Sequence, residues 1–204
     1  MGDDDLADIE GDADLLLRLY KIDDTEPLDV LRLCRRMTGH APFMTRTGPE
    51  AKLSTEPNGT RRVCVRFGTY PPRATWLACH ELAELHYDRI GYRGDDVERR
   101  CDALGAALAC PRRALLAATK RYQHRVHLLA KALGTTQSLA LLRIGEVDRR
   151  PVLLSRTAGL IVRGASFVWP ANDELDRALK GRVRGVHPLM IRDEPARAGL
   201  MAAA

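Results

Sequence analysis

This chain of 204 residues lacks a signal-peptide pattern and a long apolar run, and each absence excludes a class of protein. Neither end carries an apolar segment behind basic residues, and no apolar run is long enough to span a bilayer, so secretion and membrane insertion are disfavoured. The five cysteines are odd in number and form no Cys-x-x-Cys pair, so they are expected to be reduced core thiols. The composition therefore indicates a small cytoplasmic protein, with one main domain and an appendage.

Charge is distributed unevenly along the chain. Residues 1–14 contain seven acidic side chains and no basic one, which predicts a disordered or frayed leader. Residues 111–150 contain nine basic side chains against Glu146 and Asp148, so this segment is the candidate for contacting an anion. The Ala-rich tail, residues 195–204, carries no structure signal and is expected to be loose.

The most informative motif is His80-Glu81-Leu82-Ala83-Glu84, which differs at one position from the H-E-x-x-H motif of zinc proteases. A helix brings positions i and i+4 onto one face, so His80 and Glu84 are spaced to bind one metal ion. Glu81 would then stand beside the open position of the metal, where a carboxylate can accept a proton from water. The same five residues in isolation are also typical of a solvated helix face.

The flanking sequence favours the metal interpretation. An apolar lead-in, Trp76–Cys79, predicts that the motif helix is buried, and two glycines in the 91–94 segment predict a turn after it. A second helix follows from about Asp95 or Asp96 and ends before Pro111. Small residues on one side would let this helix lie close to the first, so that Glu98 becomes a candidate third ligand.

The second helix carries a spaced pattern of its own, with the form E-x-x-[AC]-[ND]-x-x-[AG]-A-x-L-x-x-P. Its matching residues are Glu98, Cys101, Asp102, Gly105, Ala106, Leu108 and Pro111. Together with the first motif, this pattern resembles the ImmA/IrrE family of zinc metallopeptidases over roughly residues 15–147.

The resemblance implies roles for individual residues. His80 and Glu98 match metal ligands of the family, and Glu81 matches its general base. Glu84 stands where the family has a second histidine, and Asp102 would orient a ligand or the helix packing. A histidine with two carboxylates is an oxygen-rich set, so we expect one divalent ion, zinc or a harder ion such as manganese, with slower chemistry.

Other segments indicate an α+β fold of the zincin-like kind. Apolar spacing predicts helices near residues 15–20 and 27–38, with Asp14 and Thr25 as caps. Alternating segments predict a short antiparallel sheet ahead of the motif helix, with strands near residues 41–45, 51–54 and 62–67. A small sheet followed by a buried helix with the H-E motif is the arrangement found in zincin-like domains.

A helix, a tight turn and a second helix are predicted over residues 126–147, which is the outline of a helix-turn-helix. As a DNA reader it would use Thr136, Gln137 and Ser138, with nearby arginines on phosphates. The alternative, which we favour, is that the pair packs against the peptidase core and contacts no DNA.

The remaining residues suggest no second chemistry. Residues 15–150 form the predicted zincin-like domain, and residues 151–194 form a small appendage with strands near 152–154, 160–163 and 166–169 and a helix capped by Asn172. The resemblance implies a bacterial or phage-derived endopeptidase whose partner is a helix-turn-helix repressor. The competing hypothesis is a catalytically inactive zincin-like scaffold that regulates transcription by binding protein or DNA.

Overall fold

A computed structural model describes the backbone of residues 3–123, 125–147, 152–156, 159–163, 186–190 and 198–202, and the side chains of residues 5–123 and 125–147. Within these ranges the fold is α+β, with seven helices, a three-stranded mixed sheet and a four-stranded antiparallel sheet. The helices are α1 Asp3–Leu19, α2 Val30–Thr38, α3 Pro71–Arg89, α4 Val97–Ala109, α5 Arg112–Tyr122, α6 Val126–Leu133 and α7 Gln137–Val147. The strands are β1 Phe43–Thr45, β2 Ala51–Thr55, β3 Arg61–Arg66, β4 Val152–Arg156, β5 Gly159–Arg163, β6 Val186–Met190 and β7 Ala198–Ala202.

The acidic segment at the start of the chain is helical, so the prediction of a disordered leader over residues 1–14 is wrong for the residues described. Helix α1 buries an apolar stripe that includes Ile9, Ala13 and Leu16 and packs against α4. Of the five carboxylates of α1 whose side chains are described, Asp8 and Asp14 are exposed and the others are half-buried, and acidic side chains near a helix N-terminus are favoured by the helix dipole. Acidic composition alone therefore does not prevent this segment from forming an ordered helix.

Helix α2 begins later than the sequence predicts. The Asp29 carboxylate accepts a hydrogen bond from the Arg32 backbone N–H at 2.9 Å, so Asp29 is the N-cap and the predicted cap Thr25 is not. The other predicted cap, Asp14, lies inside α1. The helix ends at Gly39, whose φ of 81° is the left-handed conformation that favours glycine.

The first sheet has the order β1-β3-β2, so both β1 and β2 are edge strands. All three strands were predicted, but the sheet is mixed rather than antiparallel: β2 pairs antiparallel with β3, whereas β1 pairs parallel with it. The β2–β3 connection is the expected turn at Asn58-Gly59, with Gly59 at a φ of 81°. Strand β2 also packs against α3, which brings this edge of the sheet beside the H-E helix.

Helices α3 and α4 pack against each other with unusually close backbones. A Cβ added to Gly105 of α4 would lie 2.8 Å from the backbone nitrogen of His80. The small residues of α4, such as Ala103, Ala106 and Ala107, are buried against the core around this contact. The close approach confirms the expectation that the second helix lies against the motif helix, and it brings the first turns of α4 within reach of the His80 side chain.

The predicted helix pair is present as α6 and α7, joined by a turn in which Gly134 has a φ of 63°. Most of α7 is buried, and its Arg143 side chain is only 1% exposed. The Arg143 guanidinium donates to the carboxylates of Glu10 and Glu146 and to the Cys110 carbonyl. This cluster ties α7 to α1 and to the end of α4.

The C-terminal residues form the second sheet, with the order β5-β4-β7-β6. Strands β4 and β5 match two predicted strands, whereas the predicted strand at 166–169 and the helix capped by Asn172 lie outside the described residues. The expected loose tail is wrong for residues 198–202, which form β7 and pair with β4 and β6. The hydrogen bonds between strands join backbone groups, so the strand can form although the Ala-rich tail has no side-chain pattern typical of a strand. Among the described residues, no helix is both long and apolar enough to cross a membrane.

Candidate metal centre

The His80 ring lies between two carboxylates of the neighbouring helix. Its Nδ1 is 3.1 Å from Oδ1 of Asp102, and its Nε2 is 3.4 Å from Oε1 of Glu98. The two acidic residues are four positions apart on α4, so one face of that helix presents both to α3. The His80 side chain is 14% exposed, whereas that of Glu98 is 80% exposed, so the ring is held inside while one partner faces solvent.

The carboxylates also set the charge of the ring. The hydrogen bond with Asp102 raises the pKa of His80, and the charges of Asp102, Glu98 and Glu81 act in the same direction, while burial opposes them. Because Asp102 lies on the Nδ1 side, its carboxylate holds the orientation of the ring. The Nε2 side is thereby directed to Glu98.

Glu81 is a buried carboxyl group on the face of α3 that meets the sheet. Burial raises its pKa from the ordinary 4.5 to about 7, and the charge of Glu84 and a hydrogen bond with that residue add to the increase. The His80 charge and a hydrogen bond from the Leu53 backbone of β2 oppose it. A carboxyl group with a pKa near neutrality can both accept and release a proton at physiological pH.

Glu84 is exposed and does not belong to the histidine cluster. The group whose candidate ligand atoms lie within 4.8 Å of one another consists of His80, Glu98 and Asp102, without Glu84. The structure therefore brings together two of the three residues that the sequence suggested as ligands and adds Asp102. Glu84 contacts Glu81 instead, as expected for side chains three positions apart on one helix face.

Two neighbours of the site were not assigned roles from the sequence. The Trp76 ring lies 6.0 Å from the His80 ring, centroid to centroid, and covers one side of it. The i, i+4 spacing of the two residues would have predicted this contact. The Leu53 backbone contact to Glu81 joins residues far apart in the sequence, so no local signal marks it. Cys79, next to the histidine, is fully buried, and burial raises its pKa well above the usual value, as expected of a core thiol.

This donor set fits a divalent ion. An imidazole nitrogen and carboxylate oxygens are ordinary ligands of zinc and manganese, and the candidate ligand atoms of the three residues lie within 4.8 Å of one another. The Nδ1–Asp102 contact matches the arrangement in which a carboxylate orients a metal-binding histidine from its far nitrogen. His80, Glu98 and Asp102 are therefore a group that could hold a metal ion.

Comparison with known proteins informs the fold rather than the chemistry. No protein-family model matches the chain, and a search of curated proteins finds no match. Among solved structures, one described as a Mycobacterium tuberculosis transcriptional regulator is similar, with a TM-score of 0.68 and 14% sequence identity. The alignment covers 96% of this chain and 87% of that one. At this identity the similarity shows a shared fold.

Proposed function

We propose that the protein is a metal-dependent endopeptidase of the zincin-like ImmA/IrrE type, acting in the cytoplasm on a regulatory protein such as a helix-turn-helix repressor. The observation that carries the proposal is the pairing of a carboxylate-flanked histidine with a buried glutamate at the next position. His80 meets Glu98 and Asp102 across the helix interface, and Glu81 has a pKa of about 7. The two sequence motifs supply the family, and the geometry supports the roles that they imply.

In this proposal one divalent ion, zinc or manganese, is held at the Nε2 side of His80 together with Glu98. Asp102 would hold the ring through Nδ1. Glu84, which contacts Glu81 in this structure, would have to turn toward His80 to add the further carboxylate that the i, i+4 spacing supplies. When bound, such an ion supplies Lewis-acid polarisation of a peptide carbonyl and of the attacking water. A ligand set with several carboxylates reduces the charge that the ion presents, so slow cleavage is expected.

Glu81 is the proposed general base. Its carboxyl group must be ionised to accept a proton from water, and a pKa near 7 leaves a substantial ionised fraction at neutral pH. The Leu53 backbone contact holds one side of the carboxyl group, so its position is set by the sheet edge rather than by rotamer freedom. The same group can return the proton to the leaving amine once the peptide bond breaks.

The second candidate function is regulation without catalysis. It is favoured by Glu84, which replaces the histidine of the resembled family, and by the similarity to a structure described as a transcriptional regulator. In that case the histidine cluster would stabilise the helix interface, and the protein would act by binding a protein or DNA. The two functions differ in whether changing Glu81 alters a covalent product.

Co-expression with a candidate helix-turn-helix repressor tests the proposal. Wild type should cleave the repressor, and Glu81→Gln should abolish cleavage while leaving the fold and metal content intact. Glu84→His should cleave faster, because a neutral imidazole lets the ion keep more of its charge. Cleavage that survives Glu81→Gln excludes the mechanism, and a panel of repressors left intact by all three proteins favours the non-catalytic regulator.

A further inference from the structure

Helix α5 presents a basic face that the proposed peptidase chemistry does not use. Its exposed positions recur at i, i+1, i+4, i+5, i+8 and i+9, so they form two parallel rows along one side of the helix. The rows are Arg112, Leu116 and Lys120, and Arg113, Ala117 and Arg121. Each row has a cation at both ends and a small or apolar side chain between them, while the opposite side buries Ala114 and Leu115 in the core.

The basic face continues onto α6, which packs beside α5. Arg125 and Lys131 are exposed there, together with His127. The sequence contains no acidic residue between positions 111 and 145, and the next one, Glu146, is buried against Arg143. The exposed charges that α5 and α6 themselves contribute, within the described residues, are therefore all positive, and we call this surface the α5–α6 basic face. In the described part of the chain, the acidic contact to it comes from Asp24, which lies 3.5 Å from Arg113 and leaves that side chain 72% exposed.

We propose that the α5–α6 basic face binds the phosphate backbone of double-stranded nucleic acid without reading its sequence. Arginine predominates on the face, and its planar guanidinium suits phosphate recognition better than an ammonium does. The cations at the two ends of α5 are eight residues apart, or about 12 Å along the helix axis. This separation is similar to the roughly 12 Å width of the major groove of B-DNA, so the two ends of α5 can contact phosphates on either side of a groove.

The composition of the face favours a duplex over a single strand. Proteins that bind single strands combine basic grooves with aromatic side chains on which bases stack. Among the described residues of α5 and α6, the aromatic rings are those of His127, which is exposed, and Tyr122, which is half-buried and covered by the Arg121 guanidinium at 5.2 Å from its centroid. The face therefore offers several cations but one exposed ring, which is too few for a run of stacked bases.

Two of the three residues at the start of α7 that were expected to read bases are a helix cap and a buried side chain, which leaves few groups for contacts with bases. The Thr136 hydroxyl accepts a hydrogen bond from the Leu139 backbone N–H at 3.2 Å, so it caps α7. Ser138 is only 6% exposed. Of the three residues expected to read bases, Gln137 alone remains, and one half-buried amide does not specify a site. Binding through phosphates alone follows.

The test is fluorescence anisotropy with a labelled 20-base-pair duplex of arbitrary sequence, over a salt series from 50 to 200 mM, using the full-length protein. Four phosphate contacts predict a slope of log Kobs against log salt of about −3.6, which corresponds to a loss of affinity of roughly 100-fold over this range. Lys120→Gln/Arg121→Gln should weaken binding about tenfold at 50 mM and reduce the slope by about 1.8. The matched control is Arg35→Gln/Arg36→Gln, since that pair is also exposed in the last turn of a helix and the charge change is the same. It should bind like wild type.

Four results would overturn the proposal: no binding at 50 mM salt, equal losses in the two double variants, tighter binding to a single strand, or tighter binding to an acidic polypeptide than to the duplex. A 20-base-pair RNA duplex included alongside distinguishes the two kinds of duplex. Because the α5–α6 basic face is separate from the histidine cluster, the α5 variant should keep its metal content and any cleavage activity. If duplex binding is not observed, the peptidase proposal is unaffected, and if cleavage is not observed, the duplex-binding proposal is unaffected.

Discussion

Replacing Glu81 with glutamine should stabilise the protein while it removes the proposed general base. The folded structure raises the pKa of Glu81 from 4.5 to about 7, so folding favours the protonated carboxyl group. The ionised form is therefore destabilising: the penalty is absent below about pH 4.5, grows as the pH rises, and is complete above about pH 7. Glutamine is neutral at every pH and retains both an oxygen that can accept from Leu53 and an amide that can donate to Glu84.

The size of the effect follows from the same pKa. A difference of about 2.5 between the two pKa values corresponds to roughly 3.4 kcal/mol at 1.36 kcal/mol per pKa unit. Most of this difference comes from burial, and solvent screening and relaxation around the charged group reduce its cost to about 2 kcal/mol. Glu81→Gln should thus raise the free energy of unfolding of the metal-free protein by about 2 kcal/mol at pH 8 and leave it almost unchanged at pH 4.5.

Urea denaturation of chelator-treated protein at both pH values measures this difference, with Glu26→Gln in the exposed loop before α2 as the control. The control should change stability by less than about 0.5 kcal/mol at either pH. A Glu81→Gln variant no more stable than wild type at pH 8 would refute the reasoning, because it would mean that the carboxylate is ionised in the fold without penalty. The proposal that Glu81 is a general base with a pKa near 7 would then lose its support.

Three further predictions concern the packing and charges around the site. Gly105→Ala should lower the free energy of unfolding by about 1–3 kcal/mol, because its Cβ would meet the His80 backbone, whereas Gly11→Ala at the open face of α1 should raise it by about 0.5–1 kcal/mol. Equal effects in urea denaturation would contradict the close helix contact. Arg143→Met should cost about 3–5 kcal/mol by the same assay, since it leaves its carboxylate partners without a cation, and a loss under 1 kcal/mol would count against a buried ion cluster. Asp102→Asn should lower the pKa of His80 in an NMR titration. The stability that this ion pair contributes should be present below pH 6.5 and lost as the pH rises through the His80 pKa. An unchanged titration would show that Asp102 does not hold the ring.

Local spacing made the helices of the site predictable. The H-E motif, the apolar lead-in from Trp76 and the small-residue pattern of α4 all repeat at helical intervals, and helices α3 and α4 follow them. The side-chain contacts between α3 and α4 were harder to predict from the sequence. Whether Glu84 or Asp102 lies nearer the His80 ring depends on how two helices cross, and neither side chain carries a sequence signal for that crossing.

The errors at the chain ends have a physical cause as well. In α1 the buried positions Ile9, Ala13, Leu16 and Leu17 have helical spacing, but the many carboxylates between them dominate the composition. The surface that buries this stripe is α4, some 90 residues away, so the local sequence does not indicate how much apolar surface is buried. In β7, pairing with two strands orders a segment whose side chains carry little information.

Metal content tests the central claim most directly. Purified wild-type protein should contain close to one equivalent of zinc or manganese by elemental analysis, and chelated protein should take up one ion with a gain in thermal stability. His80→Ala and Glu98→Ala should lose that ion, whereas Glu26→Ala should retain it. Wild-type protein that is isolated without metal, takes up none on titration and gains no thermal stability from either ion would contradict a metal-dependent function.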